Sequence, residues 1–246
     1  MRIIQEAFKA LRRNQTALLI YLAVTVPLLC ADRLIFDLLG GPTVEDFQRH
    51  LGLRVYVFVD ELIVALGYAL AQSIAFARLG KDIDRPLWKV SGDLEAVRRF
   101  FGLWFVLCLT VRVIFLLAIR AGANADGERL AAAFLYLYFM SAALYIPVGS
   151  CLMFHGGFQG PKPRESLAPL VRQLSMALGL VLFGYLQVSI MFALSYAAET
   201  GPVNPLWVLI PAEVLDAACN LFAFSWAWLI CIVDRNRVPH EDIDLD

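Results

Sequence analysis

Eight polar residues interrupt long apolar stretches of this 246-residue chain, in positions where an ionised group is costly. They are Asp32, Arg33, Asp60, Glu61, Arg112, Glu213, Asp216 and Asn220. Carboxylates and guanidinium groups in such positions form ion pairs, relay protons or hold a charged solute. Arg112 lies in the middle of its stretch and therefore needs a carboxylate partner. We expect Glu213 or Asp216 first, because they lie one helical turn apart on one face, while Glu61 and Asp60 are the alternatives at similar depth.

Six apolar stretches must position these residues. Each is long enough to cross a bilayer as a helix, which takes ~20 residues. Their bounds are 17–39, 55–78, 100–119, 130–154, 173–198 and 206–233. Hydrophobic residues make up 60% of the chain and the mean hydropathy is +0.67, which excludes an ordinary soluble protein. The sequence predicts an all-α polytopic membrane protein, a single domain of six transmembrane helices whose first partner is the lipid bilayer.

Basic residues indicate how the helices are oriented. With the N-terminus inside, fifteen Lys and Arg residues fall on inner segments and four on outer loops. This asymmetry predicts a bacterial inner-membrane protein with both termini in the cytoplasm. Residues 234–246 are rich in acids and predict a cytoplasmic tail.

Two shorter segments are predicted to lie on the inner surface of the membrane. The N-terminus is amphipathic, with Ile4, Ala7, Phe8 and Leu11 on one face. Ser91 is predicted to cap a second short helix, which ends at residues 98–99. Outside, residues 43–46 resemble a capping box that opens another short helix.

A weak internal repeat suggests that the domain is built from helical hairpins. At an offset of 152 residues, Glu61 aligns with Glu213, and both preceding hairpins turn at Gly-Pro, at 41–42 and 201–202. Chance matching of small residues in apolar helices is the alternative explanation.

The sequence lacks the residues and motifs that several classes of function require. The three histidines, His50, His155 and His240, lie outside the middle of the stretches, so paired haem ligation is excluded. We find no P-loop, no H-E-x-x-H and no basic-aromatic patch, and we expect no cofactor, metal, nucleotide or nucleic acid. The cysteines share no C-x-x-C spacing and are predicted to be small buried hydrophobic residues: Cys30, Cys108, Cys151, Cys219 and Cys231.

The opening residues 3–14, IIQEAFKALRRN, lead directly into an apolar stretch. This start, with the count of six spans, resembles the bacterial six-helix membrane proteins grouped around the YciC-like family and the membrane domain of glycerophosphodiester phosphodiesterases. The resemblance implies an inner-membrane domain without an activity of its own. No soluble phosphodiesterase domain is present in the sequence, so that catalytic function does not carry over.

We therefore predict a non-enzymatic scaffold, assembly or solute-handling bundle, whose partners are other membrane proteins or a second copy. The alternative is a small secondary transporter, in which Glu61, Glu213 or Asp216 exchanges protons. Arg112 would then hold an anionic group or serve as an internal counter-ion. An intramembrane enzyme is a third class, for which the sequence shows neither nucleophile nor metal ligands.

Overall fold

The structure, a computed structural model, describes residues 2–39, 50–83, 90–122, 127–202 and 204–237. Within these ranges the chain forms eight α-helices and a short 3-10 helix, Gly157–Gln159, and no strand. The helices are α1 (Arg2–Arg13), α2 (Gln15–Leu38), α3 (Leu51–Ile83), α4 (Asp93–Gly122), α5 (Glu128–Phe154), α6 (Pro163–Arg172), α7 (Leu174–Thr200) and α8 (Leu206–Arg237). The predicted all-α fold is confirmed.

Six of the helices, α2, α3, α4, α5, α7 and α8, are long and apolar enough to cross a membrane. This confirms the six predicted spans, although several helices extend beyond the apolar stretches. The separate short helix predicted after Ser91 is wrong, because α4 runs unbroken from Asp93 to Gly122. The predicted short helix and the third span are parts of this one helix. At its start, the Ser91 N–H group donates to Glu95 Oε2 at 2.8 Å.

Consecutive spans pack side by side as three hairpins, α2 with α3, α4 with α5, and α7 with α8. The helices α3 and α8 form the centre, since 56% and 61% of their apolar windows are buried, against 11–22% for the other four spans. Helix α8 contacts α2, α3, α5 and α7 along the bundle. Side chains on α3 and α8 therefore meet in the middle of the protein.

Basic residues gather where α1, α6 and the last turns of α3 and α8 meet, here called the basic end. Arg13 pairs with Asp82 at 3.4 Å, and Arg172 pairs with Asp234 at 3.3 Å. The Arg237 guanidinium donates to Gln173 at 3.1 Å. Helix α1 and the C-terminal end of α8 thus lie at the same end of the bundle, as an even number of spans requires.

Helix α1 docks on the bundle through small residues. Ala7 and Ala10 are fully buried, while Ile4 and Phe8 remain exposed beside the basic end. The predicted apolar face of α1 is therefore divided, because Ala7 packs inward while Ile4 and Phe8 point away from the bundle. Helix α1 contacts α8 and, less extensively, α3.

Four rings, here called the aromatic layer, fill the bundle between the basic end and the polar residues of the spans. They are Phe76, Trp104, Phe224 and Trp228, none more than 1% exposed. Phe76 stacks on Phe224 with ring centroids 4.5 Å apart and meets the edge of Trp104 at 4.8 Å. Phe224 continues to Trp228 at 5.1 Å. The layer packs α3, α4 and α8 tightly against one another.

Parts of three predictions lie outside the described residues. These are the turn at 41–42, the capping box at 43–46 and the acidic segment 238–246. Residues 234–237, which the sequence assigned to the tail, continue α8 instead. Asp234 is 5% exposed, so its carboxylate is held by Arg172 rather than lying free in solvent.

Candidate functional site

Arg112 reaches α3 rather than α8. Its Nη1 atom lies 2.6 Å from Oε2 of Glu61, and its Cζ atom lies 5.4 Å from the centroid of the Tyr68 ring. The prediction that Arg112 needs a carboxylate within ion-pair reach is confirmed, but the partners expected first, Glu213 and Asp216, are wrong. Helix α4 packs against α3 and α5, and this arrangement brings Glu61 to Arg112.

Glu213 is held by a phenol instead of a cation. The Tyr68 hydroxyl lies 2.9 Å from Oε1 and 2.8 Å from Oε2 of Glu213. The carboxylate is buried, with 8% of the residue exposed. Tyr68 therefore lies between two charged groups, with Arg112 over its ring and Glu213 at its hydroxyl.

Asp216 is held by two amides. Gln187 Nε2 on α7 donates to Asp216 Oδ1 at 2.9 Å, and Asn220 Nδ2 donates to Asp216 Oδ2 at 2.7 Å. Gln187 also donates to Asn220 Oδ1 at 2.9 Å. Among the described side chains, no Lys or Arg forms an ion pair with Asp216 or with Glu213. Two carboxyl groups on one face of α8 are thus bound by neutral donors alone.

A chain of hydrogen bonds leads from Asn220 toward the aromatic layer. Asn220 Nδ2 donates to the Tyr21 hydroxyl at 3.2 Å, and Gln72 Nε2 donates to the same hydroxyl at 3.3 Å. Gln72 also donates to the Tyr145 hydroxyl at 3.2 Å and accepts from Cys108 Sγ at 3.2 Å. Phe76, one turn beyond Gln72 on α3, then begins the aromatic layer.

The remaining three residues of the predicted polar set lie on or beside α2. The carboxyl groups of Asp32 and Asp60 contact each other, beside Glu61. Arg33 instead pairs with Asp37 in its own helix, at 3.1 Å. The structure therefore brings Asp32 and Asp60 to the edge of the polar region and leaves Arg33 outside it.

A cavity of 210 Å³ lies among α3, α4, α5, α7 and α8, on the side of the aromatic layer away from the basic end. Its polar wall consists of Tyr68, Arg112, Tyr138, Tyr145, Gln187, Asp216 and Asn220. Phe115, Ala142, Val188 and Met191 belong to its apolar wall. The polar groups of five helices thus converge on one small, partly open space, which is the geometry of a ligand site between helices of a bundle.

A larger depression of 520 Å³ at the basic end has a different character. Arg78, Lys81, Asp82 and Asp93 contribute its charged groups. Arg78 Nε donates to Asp93 Oδ1 at 2.9 Å, and Asp82 belongs to the ion pair with Arg13. Because most of these charges are already matched at the surface, this depression is a weaker candidate than the cavity inside the bundle.

Sequence reasoning missed Gln187, Tyr21 and Tyr145 as members of the site. Gln187 carries a usable signal, since it is the amide in the middle of the apolar stretch 173–198. Tyrosines give no such signal, because they occur in membrane helices as interfacial anchors. The cysteines are free, and Cys108, Cys151 and Cys231 are buried as predicted, whereas Cys30 and Cys219 are only partly buried. Cys151 Sγ lies 3.2 Å from Cys231 Sγ. The described residues contain no group of three His, Cys, Asp or Glu that could hold a metal.

Fold and site together define a multi-pass α-helical membrane protein with a polar cavity inside its bundle. No family model, curated protein or solved structure matches the chain. The resemblance of residues 3–14 to the YciC-like group stays a prediction.

Proposed function

We propose that this protein is a non-enzymatic solute-handling protein of a bacterial inner membrane, related in mechanism to small secondary transporters. The observation that carries the proposal is the cavity of 210 Å³ with Asp216 on its wall. Carboxyl groups within membrane helices, next to a cavity and without a basic partner, are characteristic of ion and substrate pathways.

The cavity favours solute handling over a purely structural scaffold. Helices in a bilayer associate through small residues, close packing and satisfied hydrogen bonds, and need no open space at their polar contacts. A scaffold would place Asp216 against a cation or replace it with an apolar residue, since an uncompensated carboxylate weakens the bundle. Here Asp216 instead borders space that a solute can fill.

The polar region ends at the aromatic layer on one side. On α3, Gln72 lies eleven positions beyond Glu61, about 16 Å at ~1.5 Å per residue. That is about half of the ~30 Å hydrocarbon thickness. The aromatic layer lies on the basic side, which the charge asymmetry predicts to face the cytoplasm. We therefore propose that the solute reaches the cavity from the outer side.

Proton exchange is proposed at Glu213 or Asp216. Glu61 is less suited than these two, because Arg112 holds it at 2.6 Å. Glu213 and Asp216 have only neutral donors, so either carboxyl can gain or lose a proton without leaving a buried guanidinium unpaired.

Thiol labelling tests whether water reaches the cavity. In a variant whose five cysteines are replaced by alanine, Ala142→Cys places a thiol on the cavity wall. Leu182→Cys is the matched control, because Leu182 on α7 is 69% exposed and faces lipid. In phosphatidylcholine vesicles, a membrane-impermeant methanethiosulfonate bearing a trimethylammonium group should modify the first thiol and spare the second. If neither thiol reacts in vesicles while both react after unfolding, the cavity is dry and the proposal fails.

A further inference from the structure

We propose that the solute is a small organic cation with a single ammonium group, bound between Asp216 and the aromatic rings of the cavity. This inference rests on the proposed function, since it names the class of solute that the same cavity takes. Charge, ring placement and size support it separately.

The uncompensated charge on the cavity wall is negative. Arg112, the basic residue of the wall, is already paired, with Glu61 at 2.6 Å and the Tyr68 ring beneath its guanidinium. Asp216 accepts hydrogen bonds from the amides of Gln187 and Asn220, neither of which carries charge. An ammonium group entering the cavity would therefore supply the cationic partner that Asp216 lacks among the described residues.

Aromatic rings surround the space in front of Asp216. Tyr138 and Tyr145 on α5 and Phe115 on α4 line the cavity, and the Phe115 and Tyr138 rings lie 4.9 Å apart, tilted by 42°. The negative face of an aromatic ring attracts an ammonium or alkylammonium group, most strongly where water is excluded. The Arg112 guanidinium already makes this kind of contact with Tyr68, a fourth ring of the same wall.

The size of the cavity limits the cation. Sites for drug-sized ligands have volumes of about 300–1,000 Å³, whereas this cavity measures 210 Å³. A single-ring or short-chain amine fits that space as a whole, whereas a nucleotide is too large for it. The amides of Gln187 and Asn220 hold the Asp216 carboxylate in a fixed position, which reduces the ordering needed on binding.

Competition with labelling tests the charge of the ligand. The thiol introduced by Ala142→Cys is modified in vesicles in the presence of benzylammonium, benzyl alcohol or benzoate, three probes of similar shape with positive, zero and negative charge. We expect benzylammonium at saturation to slow modification about tenfold, and the other two to have little effect. Protection by benzoate equal to or stronger than that by benzylammonium overturns the inference and assigns binding to Arg112.

A second variant assigns the effect to Asp216. Asp216→Asn keeps the size of the side chain and removes the charge, so protection by benzylammonium should require about tenfold more probe or disappear. Asp37→Asn is the matched control, because Asp37 is 57% exposed and pairs with Arg33 outside the cavity. Unchanged protection in Asp216→Asn contradicts the assignment. If that variant does not fold, the three probes on the unchanged Asp216 still decide the ligand's charge.

The two proposals fail in different ways. No labelling of the Ala142→Cys thiol means that the cavity is closed to water, which overturns the proposed function. Labelling without protection by benzylammonium leaves a water-filled solute cavity and overturns the cation alone.

Discussion

Arg112 on α4 and Glu61 on α3 form an ion pair with Nη1 and Oε2 2.6 Å apart, inside the part of the bundle that spans the membrane. The pair joins two of the three helical hairpins, since α3 belongs to the first and α4 to the second. It also matches the charge of the Arg112 guanidinium, which lines the cavity, and leaves Asp216 as the carboxyl group of the wall without an ion-pair partner among the described residues.

Removal of the guanidinium should destabilise the bundle strongly. Arg112→Ala leaves the Glu61 carboxylate, which is 14% exposed and lies in a membrane span, without its cationic partner, so we expect the free energy of unfolding in mixed detergent micelles to fall by about 3–5 kcal/mol. Adding Glu61→Gln to Arg112→Ala should recover part of the loss. Arg33→Ala is the control, because its partner Asp37 is 57% exposed and the expected cost is about 1 kcal/mol or less. Equal losses in the two single variants would contradict a special role for the buried pair.

The contact between α5 and α7 should not tolerate a methyl group at Gly184. A Cβ atom there would lie 2.8 Å from the carbonyl oxygen and 3.2 Å from the Cα atom of Ala143, and the backbone cannot move aside cheaply. Small residues permit such close approach between membrane helices. Gly184→Ala should therefore lower the free energy of unfolding by about 1–3 kcal/mol.

Gly52→Ala provides the control for that measurement. A Cβ atom at Gly52 meets nothing within 4 Å, and alanine is the better helix former. We expect Gly52→Ala to be neutral or slightly stabilising. A neutral Gly184→Ala would show that α5 and α7 are farther apart than the structure places them.

The aromatic layer should contribute much of the packing energy. Phe76 is fully buried and stacks on Phe224 at 4.5 Å, so Phe76→Ala should cost about 2–4 kcal/mol in free energy of unfolding. We expect the lower end of this range in a membrane. The unfolded chain remains in lipid, so the substitution costs packing energy but little transfer free energy. Phe58→Ala on the same helix, where the residue is 56% exposed, should change the free energy of unfolding little. Similar costs at both positions would contradict a packed layer.

The charge asymmetry predicts the orientation of the spans. Reporter fusions after Arg99, Arg172 and Arg237 should give a cytoplasmic signal, and fusions near Pro42, Asn124 and Asn204 an external one. The physical basis is the excess of fifteen basic residues over four between the two sides. A cytoplasmic signal at Asn124 would be incompatible with six spans in this orientation.

The number and approximate bounds of the spans followed from the sequence because crossing a bilayer depends on a local property, the length of an apolar run. The extension of α4 back to Asp93 was not predicted, since the pattern marks where apolar residues begin rather than where the helix begins. A helix continues into polar sequence until a breaker or cap ends it.

The depth of each polar residue was also determined by the sequence, and this is why Glu61 and Arg112 were expected at one level. The sequence did not determine which helices are neighbours. The position of a residue along its helix gives its depth, whereas a contact also depends on where the two helices lie relative to each other. Tertiary packing therefore decided that Arg112 meets Glu61, that Glu213 meets Tyr68, and that Gln187 reaches Asp216. Tertiary packing also determined where the cavity lies, because empty space arises where the side chains of five helices do not fill the volume between them. That volume cannot be predicted from any single stretch of the sequence.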